Sequence, residues 1–224
     1  MSIDEEQRPE QGENPEQTRQ DEESIVAMQP GLEEIPALAK KVITDPVGFY
    51  QDMPKSGGLI NPLIFMVVLS LVAGVLSAVL SLFGLGVAGA MAGGLIAIIL
   101  VPIFVVIFGF IGAAIAYVIW KMMGSQEDFE TAFRCVAYTA AITPITAVLS
   151  LIPYIGSLAS ALWPMALLAL ASIHVHRRSV QASWAVFGAL GIIFALIGVS
   201  GEQANRQLMS GMEDLQDMIE QQRQ

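Results

Sequence analysis

The sequence predicts an all-α fold: a polytopic membrane helical bundle with five transmembrane helices, preceded by short interfacial N-terminal helices. Three observations predict it. The 224 residues are 54% hydrophobic and 14% charged, with a mean hydropathy of +0.60, whereas soluble domains carry about a quarter charged residues. Between Lys55 and Arg177 charge occurs only in the stretch Lys121–Arg134. Apolar runs long enough to cross a hydrocarbon core of about 30 Å lie on both sides of that stretch.

The net charge of −10 belongs to the two ends, since thirteen of the 21 acidic residues precede Ile60 and five follow Gly201. Such a chain lacks the basic face that nucleic-acid binding needs. The lone Cys135 excludes an intramolecular disulfide and a multi-cysteine metal site, and reads as a small apolar residue on a helix face. The N-terminus is acidic and has no apolar core, so the first span is expected to serve as the targeting signal.

Four regions follow. Residues 1–29 are rich in Glu, Gln and Pro and have no aromatic residue, which predicts a disordered acidic cytoplasmic tail. Residues 30–58 hold two short amphipathic helices. In the first, Leu32, Ile35, Leu38 and Val42 recur at helical spacing beside Lys40 and Lys41. It reads equally as a helix on the membrane surface or packed on the bundle's end. Asp45-Pro46 is a cap followed by a first-turn proline, and Val47, Phe49, Tyr50 and Met53 give the second helix an aromatic side. Ser56-Gly57-Gly58 reads as a flexible joint.

Residues 59–200 hold the five spans. Asn61-Pro62 caps the first, which runs to Phe83 and carries a small-residue stripe at Ser70, Gly74 and Ala78. Gly84–Gly94 is glycine-rich, with GxxxG at Gly89–Gly93, and reads as a loop or a frayed helix start. The second span covers Leu95 to Trp120, with Pro102 expected to bend it and Gly109, Gly112 and Ala113 forming a small face. Ser125 is expected to cap the next helix, with Asp128 as its reciprocal partner. Glu130 and Arg134 form an i,i+4 pair. The third span covers Ala132 to Ile152 and is bent at Pro144, with Thr139, Thr143 and Thr146 available to the freed backbone. Pro153–Gly156 turns into a fourth span from Ser157 to Ile173, and the fifth runs from Ala182 to Val199. Residues 201–224 form an acidic amphipathic C-terminal helix, with Leu208, Met212, Leu215 and Ile219 on one side.

Five spans put the termini on opposite sides. Lys40, Lys41, Lys55, Lys121, Arg134, Arg177 and Arg178 then share a side, and the opposite loops have no Lys or Arg. The positive-inside rule makes the N-terminus cytoplasmic and the C-terminus outside, in the inner (cytoplasmic) membrane. Trp120 and Trp184 are expected at one boundary and Tyr154 at the other, as an aromatic belt.

No catalytic constellation is legible. There is no H-E-x-x-H, no P-loop and no dinucleotide fingerprint. The only histidines, His174 and His176, lie two apart and point in different directions, so they are expected to mark the interface and contact lipid phosphate. No catalytic, metal or cofactor residue is assigned. No span carries an ionisable residue near its midpoint, although Pro102, Pro144 and Pro164 leave room for a neutral-solute or lipid path.

Several segments together resemble the Yip1-domain family of five-span membrane proteins, in its bacterial and archaeal form. They are Val42–Tyr50, Pro54–Phe65, Glu130–Tyr138, Ile152–Gly156, Trp163 and His174-Val-His176, which cover Lys40 to Val199 in order. The resemblance implies an integral membrane protein with a cytoplasmic N-terminus. Eukaryotic relatives act in vesicle traffic and contact small Rab-type GTPases through that part, and the family supplies no catalytic residues to carry over. The expectation is a non-enzymatic protein acting by interaction; the alternative is a small permease or lipid-translocating protein. Expected partners are membrane lipids, a protein at the cytoplasmic face, or a second copy of the chain. The candidate surface comprises Lys40, Lys41, Phe49, Tyr50, Glu130, Arg134, Tyr138, His174 and His176.

Overall fold

A computed structural model of the chain describes residues 32–83 and 90–223, and among them every regular element is helical. The expected disordered tail at 1–29 and most of the glycine-rich segment, including Gly89, lie outside the described residues. Gly93 and Gly94 belong to a helix. The α-helices are α1 Ile35–Thr44, α2 Pro46–Asp52, α3 Ile60–Leu82, α4 Ala90–Met122, α5 Phe129–Tyr138, α6 Thr143–Leu149, α7 Ile155–His174 and α8 Val180–Arg223. Five stretches are long and apolar enough to cross a membrane: α3, Ile103–Met122 of α4, α5 and α6 taken together, α7 and α8.

The third of these is the central one. Its most apolar stretch is 56% buried, against 17% to 33% for the other four. Ala132, Cys135, Ala137, Ala140 and Ala141 line it and are all buried. Small side chains let α3, α4 and α7 approach its backbone closely. The span is not one helix, because a 3-10 turn, Thr139–Ile142, separates α5 from α6. Pro144 accounts for this. It sits in the first turn of α6, lacks an N–H, and its ring would clash with the carbonyl four residues back. Threonine hydroxyls serve the loosened carbonyls: Thr139 donates to Val136 O at 2.7 Å and Thr146 to Thr143 O at 3.1 Å. Thr143 Oγ1 lies 2.9 Å from Ala140 O and 3.2 Å from Leu69 O of α3. Pro102 and Pro164 lie inside helices that run on past them.

The N-terminal helices are fastened to protein. Ile35, Ala39 and Val42 of α1 are buried, and α1 packs against the 3-10 turn. That turn lies ten residues into the third span, about 15 Å along it. The α2 helix packs on α7.

Two small-residue faces behave differently from each other. Gly109 of α4 takes the Met66 side chain of α3, and Ala113 is fully buried. On α3, by contrast, only Ser70 is buried, while Gly74 faces open space and Ala78 is exposed. The expected α3 stripe is therefore not a contact within the described residues.

The helix of the fifth span continues without a break into the C-terminal helix expected at residues 201–224. The α8 helix has 44 residues, about 66 Å at 1.5 Å per residue, against a core of about 30 Å. No proline interrupts it, and Gln, Glu, Leu and Met are adequate helix formers. Glu202 tethers it where it leaves the bundle, accepting from Tyr154 N at 3.0 Å and from the Ser157 hydroxyl.

These contacts predict opposite outcomes for two glycines. A Cβ at Gly156 would lie 2.4 Å from Ser150 Cα, a backbone atom, whereas one at Gly74 meets nothing. Gly156→Ala should cost about 1–3 kcal/mol, read as a melting temperature several degrees lower in detergent, with Gly74→Ala unchanged.

Candidate functional site

The site lies at the end of the bundle that carries the charges. Gly57 and Gly58 have φ of 115° and 82°, a region that favours glycine. What reads in sequence as a flexible joint is a clamped turn. Gly58 N donates to Glu130 Oε1 at 2.8 Å, and Arg134 Nη2 donates to Gly58 O at 2.8 Å. Arg134 Nε closes the ring onto Glu130 Oε1 at 3.2 Å. Arg134 is only 3% exposed, so it does not reach outward to the interface as a span-end arginine commonly does. Burying a guanidinium is costly unless its donors are matched, and here a carboxylate and a carbonyl match them.

A second strap joins the same segments. Thr131 Oγ1 lies 3.0 Å from Lys55 O and 2.9 Å from Asp128 Oδ1. Lys55 Nζ pairs with Glu127 at 2.5 Å and reaches Val175 O at 3.3 Å. The N-cap of α5 is Asp128, which accepts from Thr131 N at 2.9 Å. That bond, the largest influence, holds its carboxyl below the usual carboxylate range. The cap expected at Ser125 is thus misplaced by three residues, because Ser125 is engaged elsewhere.

Ser125 is part of a buried knot. Its Oγ accepts from Glu127 N at 3.2 Å and lies 2.8 Å from His176 Nδ1. The proton arrangement that satisfies both has the hydroxyl donating to Nδ1, which leaves Nε2–H facing Cys135 Sγ at 3.9 Å. The His176 ring stacks on Trp120, with centroids 3.8 Å apart, and Phe187 packs on the indole. Trp120 is fully buried rather than a belt residue, and its Nε1 meets no hydrogen-bond partner among the described residues. Burial, followed by the charges of Lys55, Arg178 and Lys121, lowers the His176 pKa to about 3. Arg178 bends back to donate to Met123 O at 2.9 Å and to His176 O at 2.8 Å. Arg177 before it takes φ of 53°.

An aromatic stack joins α2 to α3 and α5. The Tyr138 ring meets Phe49 at 5.0 Å and Phe65 at 5.1 Å, edge to face. Tyr50 donates to Cys135 O at 3.4 Å. Burial, with Cys135 beside it, pushes the Tyr50 hydroxyl well above its ordinary range.

The nine residues expected to form one surface therefore separate. Phe49, Tyr50, Arg134, Tyr138 and His176 are buried and cannot be touched by a partner. Glu130 and His174 are half-buried, the latter 3.3 Å from Gln51 Nε2. Lys41 pairs with Asp52 at 2.8 Å, and Lys40 is exposed. Lys55, Gly57, Gly58, Trp120, Ser125, Cys135 and Arg178 complete the arrangement and lie outside the candidate surface read from the sequence. The adjacent glycines before a span were the one available signal. Among the described residues no group of three or more His, Cys, Asp or Glu could hold a metal ion.

A family model described as the Yip1 domain matches residues 40–201. Comparison with curated proteins and with solved structures gives no match.

Two outcomes follow from this geometry. Arg134→Gln strands Glu130 and the Gly58 carbonyl and should cost about 2–4 kcal/mol, visible as a lower melting temperature and protease cleavage near residue 57. For His176, the folded pKa of about 3 lies below the ordinary 6.5, so the unfolded chain binds the extra proton between those values. Stability is full above pH 6.5 and falls as the pH drops toward 3, by at most about 1.4 kcal/mol per unit. Melting curves at pH 7.5 and 5 should show that slope in the parent and a shallower one in His176→Gln.

Proposed function

This chain belongs to the Yip1-domain family of membrane proteins, and from that premise we propose that it acts by interaction, as a non-catalytic multi-pass scaffold. The charged end is its working face and lies in the cytoplasm. The observation that carries the reading is the clamp of Gly58, Glu130 and Arg134. It joins the N-terminal helices to the central span, so a partner that binds those helices bears directly on the bundle. Buried charges at this end are spent on one another and on backbone. Lys40, Lys121 and Arg177 stay exposed and supply the recognition groups, suited to an acidic protein or anionic headgroups. The absence of cations from Pro153–Gly156 supports the orientation.

One observation favours the second reading, a path for neutral solute or lipid. The 3-10 turn Thr139–Ile142 sets threonine hydroxyls in the middle of the third span, and irregular backbone at that depth occurs where it lines protein or a pathway.

Charge reversal at Lys40, Lys121 and Arg177 together should remove co-purifying proteins or anionic lipids several-fold without moving the melting temperature. An unchanged set of partners and lipids sinks the scaffold reading, and solute flux or lipid scrambling in reconstituted vesicles favours the second. A reporter fused after Gln224 should report the side opposite the cytoplasm.

A further inference from the structure

Beyond the bundle, α8 runs on for about six turns past Glu202; Arg206, over the Tyr154 ring at 5.7 Å, stays near the bundle, and the apolar residues from Leu208 onward are exposed. Its side chains there follow a heptad. Counting Asn205 as position a places Leu208 at d, Met212 at a, Leu215 at d and Ile219 at a. These four apolar side chains are 68%, 55%, 54% and 52% exposed, far more than a helix covers when its apolar stripe meets its own fold. Gly201, at the preceding d, sits in mid-helix where a Cβ would meet nothing. An open glycine there lowers helix stability by about 1 kcal/mol relative to alanine, and no contact among the described residues offsets that. A second helix drawn close would.

The charges say which partner fits. By sequence count the acids Glu213, Asp214, Asp217 and Glu220 fall at b, c, f and b, none of them a seam position. The flanking e and g positions past Asn205 are Met209, Gly211, Gln216 and Met218, none of them charged; Glu202, at the e position before it, is held by Tyr154, Ser157 and Arg206 of its own chain. Two copies side by side therefore bring no like charges together. An anionic headgroup surface would meet an acidic helix, and a charged partner helix would find no complementary e or g residue. The membrane adds two constraints. Because α8 is continuous with the fifth span, two copies inserted the same way can meet only in parallel. The apolar seam from Leu208 to Ile219 covers fewer than two heptads, too short to pair in dilute solution, and confinement to a bilayer raises the effective concentration that lets it suffice. Asn205 at an a position then fits a two-stranded seam, where one buried asparagine sets register.

We propose that residues 201–222 of α8 form a parallel two-stranded coiled coil with a second copy of this chain, making the protein a homodimer joined outside its family domain. This does not depend on what the opposite end binds. Cysteines placed one at a time in the full chain test it, with Cys135 left in place because it is fully buried. In dilute vesicles, mild oxidation should join Leu208→Cys and Leu215→Cys into dimers at least several-fold faster than Gln207→Cys and Asp214→Cys at outward positions. Copies carrying donor and acceptor fluorophores should show energy transfer that Leu208→Glu with Leu215→Glu abolishes, at unchanged melting temperature. Equal cross-linking at inward and outward positions, or no transfer in the parent, overturns the proposal. So does quenching of a label at residue 208 by headgroup-labelled lipid, or cross-linking only to a different protein in native membranes.

Discussion

A single buried guanidinium holds the charged end together. Arg134 sits 3% exposed with one nitrogen on Glu130 and another on the Gly58 carbonyl. A charge so placed survives only while both partners stay in position. The penalty for losing either is therefore carried by two segments 76 residues apart. The Gly57-Gly58 turn must take positive φ to present its carbonyl, and α5 must begin at Phe129 to bring Glu130 and Arg134 onto one face. Thr131 on Lys55 O and Lys55 on Glu127 repeat the same link one turn away. The result is a polar lid whose members are matched to one another.

That lid explains why the third span can afford to be irregular. A 3-10 turn in mid-span leaves backbone groups poorly served. Thr139 and Thr143 serve carbonyls within their own segment, and Thr143 also reaches Leu69 O of α3. The α1 helix covers the turn with Ile35, Ala39 and Val42. Since α1 and α2 lead directly into the clamped turn, irregular centre and polar lid are parts of one arrangement. Loosening the lid frees the helices that shield the turn.

The fold was legible because it rests on local signals: long apolar runs, a proline in the third span, an Asp-Pro cap and an i,i+4 pair. Spans, turn positions and the Glu130–Arg134 contact follow from neighbours within a few residues. The site was much less legible. Glu130 and Arg134 were recognised as a pair, but their true business is with Gly58, and no periodicity connects residue 58 to residue 134. His176 and Cys135 each look unremarkable alone, and only folding sets them 3.9 Å apart beneath Trp120. Phe49, Tyr50 and Tyr138 looked like surface aromatics because amphipathic spacing cannot tell a lipid-facing side from a protein-facing one. The fifth span and the C-terminal helix are one continuous helix, which hydropathy alone does not reveal. Hydropathy marks where the membrane stops, whereas helix formers past Gly201 let the backbone continue.

The two ends of the molecule thus present opposite physics. At the charged end the buried polar groups are committed to one another, and what stays outside is a mixed set of charges, Lys40, Lys121 and Arg177 among exposed carboxylates such as Asp52 and Asp128, on a rigid support. At the other end a helix leaves the bundle with its apolar residues uncovered, tethered by Glu202 through Tyr154 and Ser157. A rigid support joined to an exposed extension is what the proposed scaffold role requires. Rigidity at one face makes a bound partner's position depend on the bundle, and pairing of extensions would then fix the spacing between two such faces across the membrane.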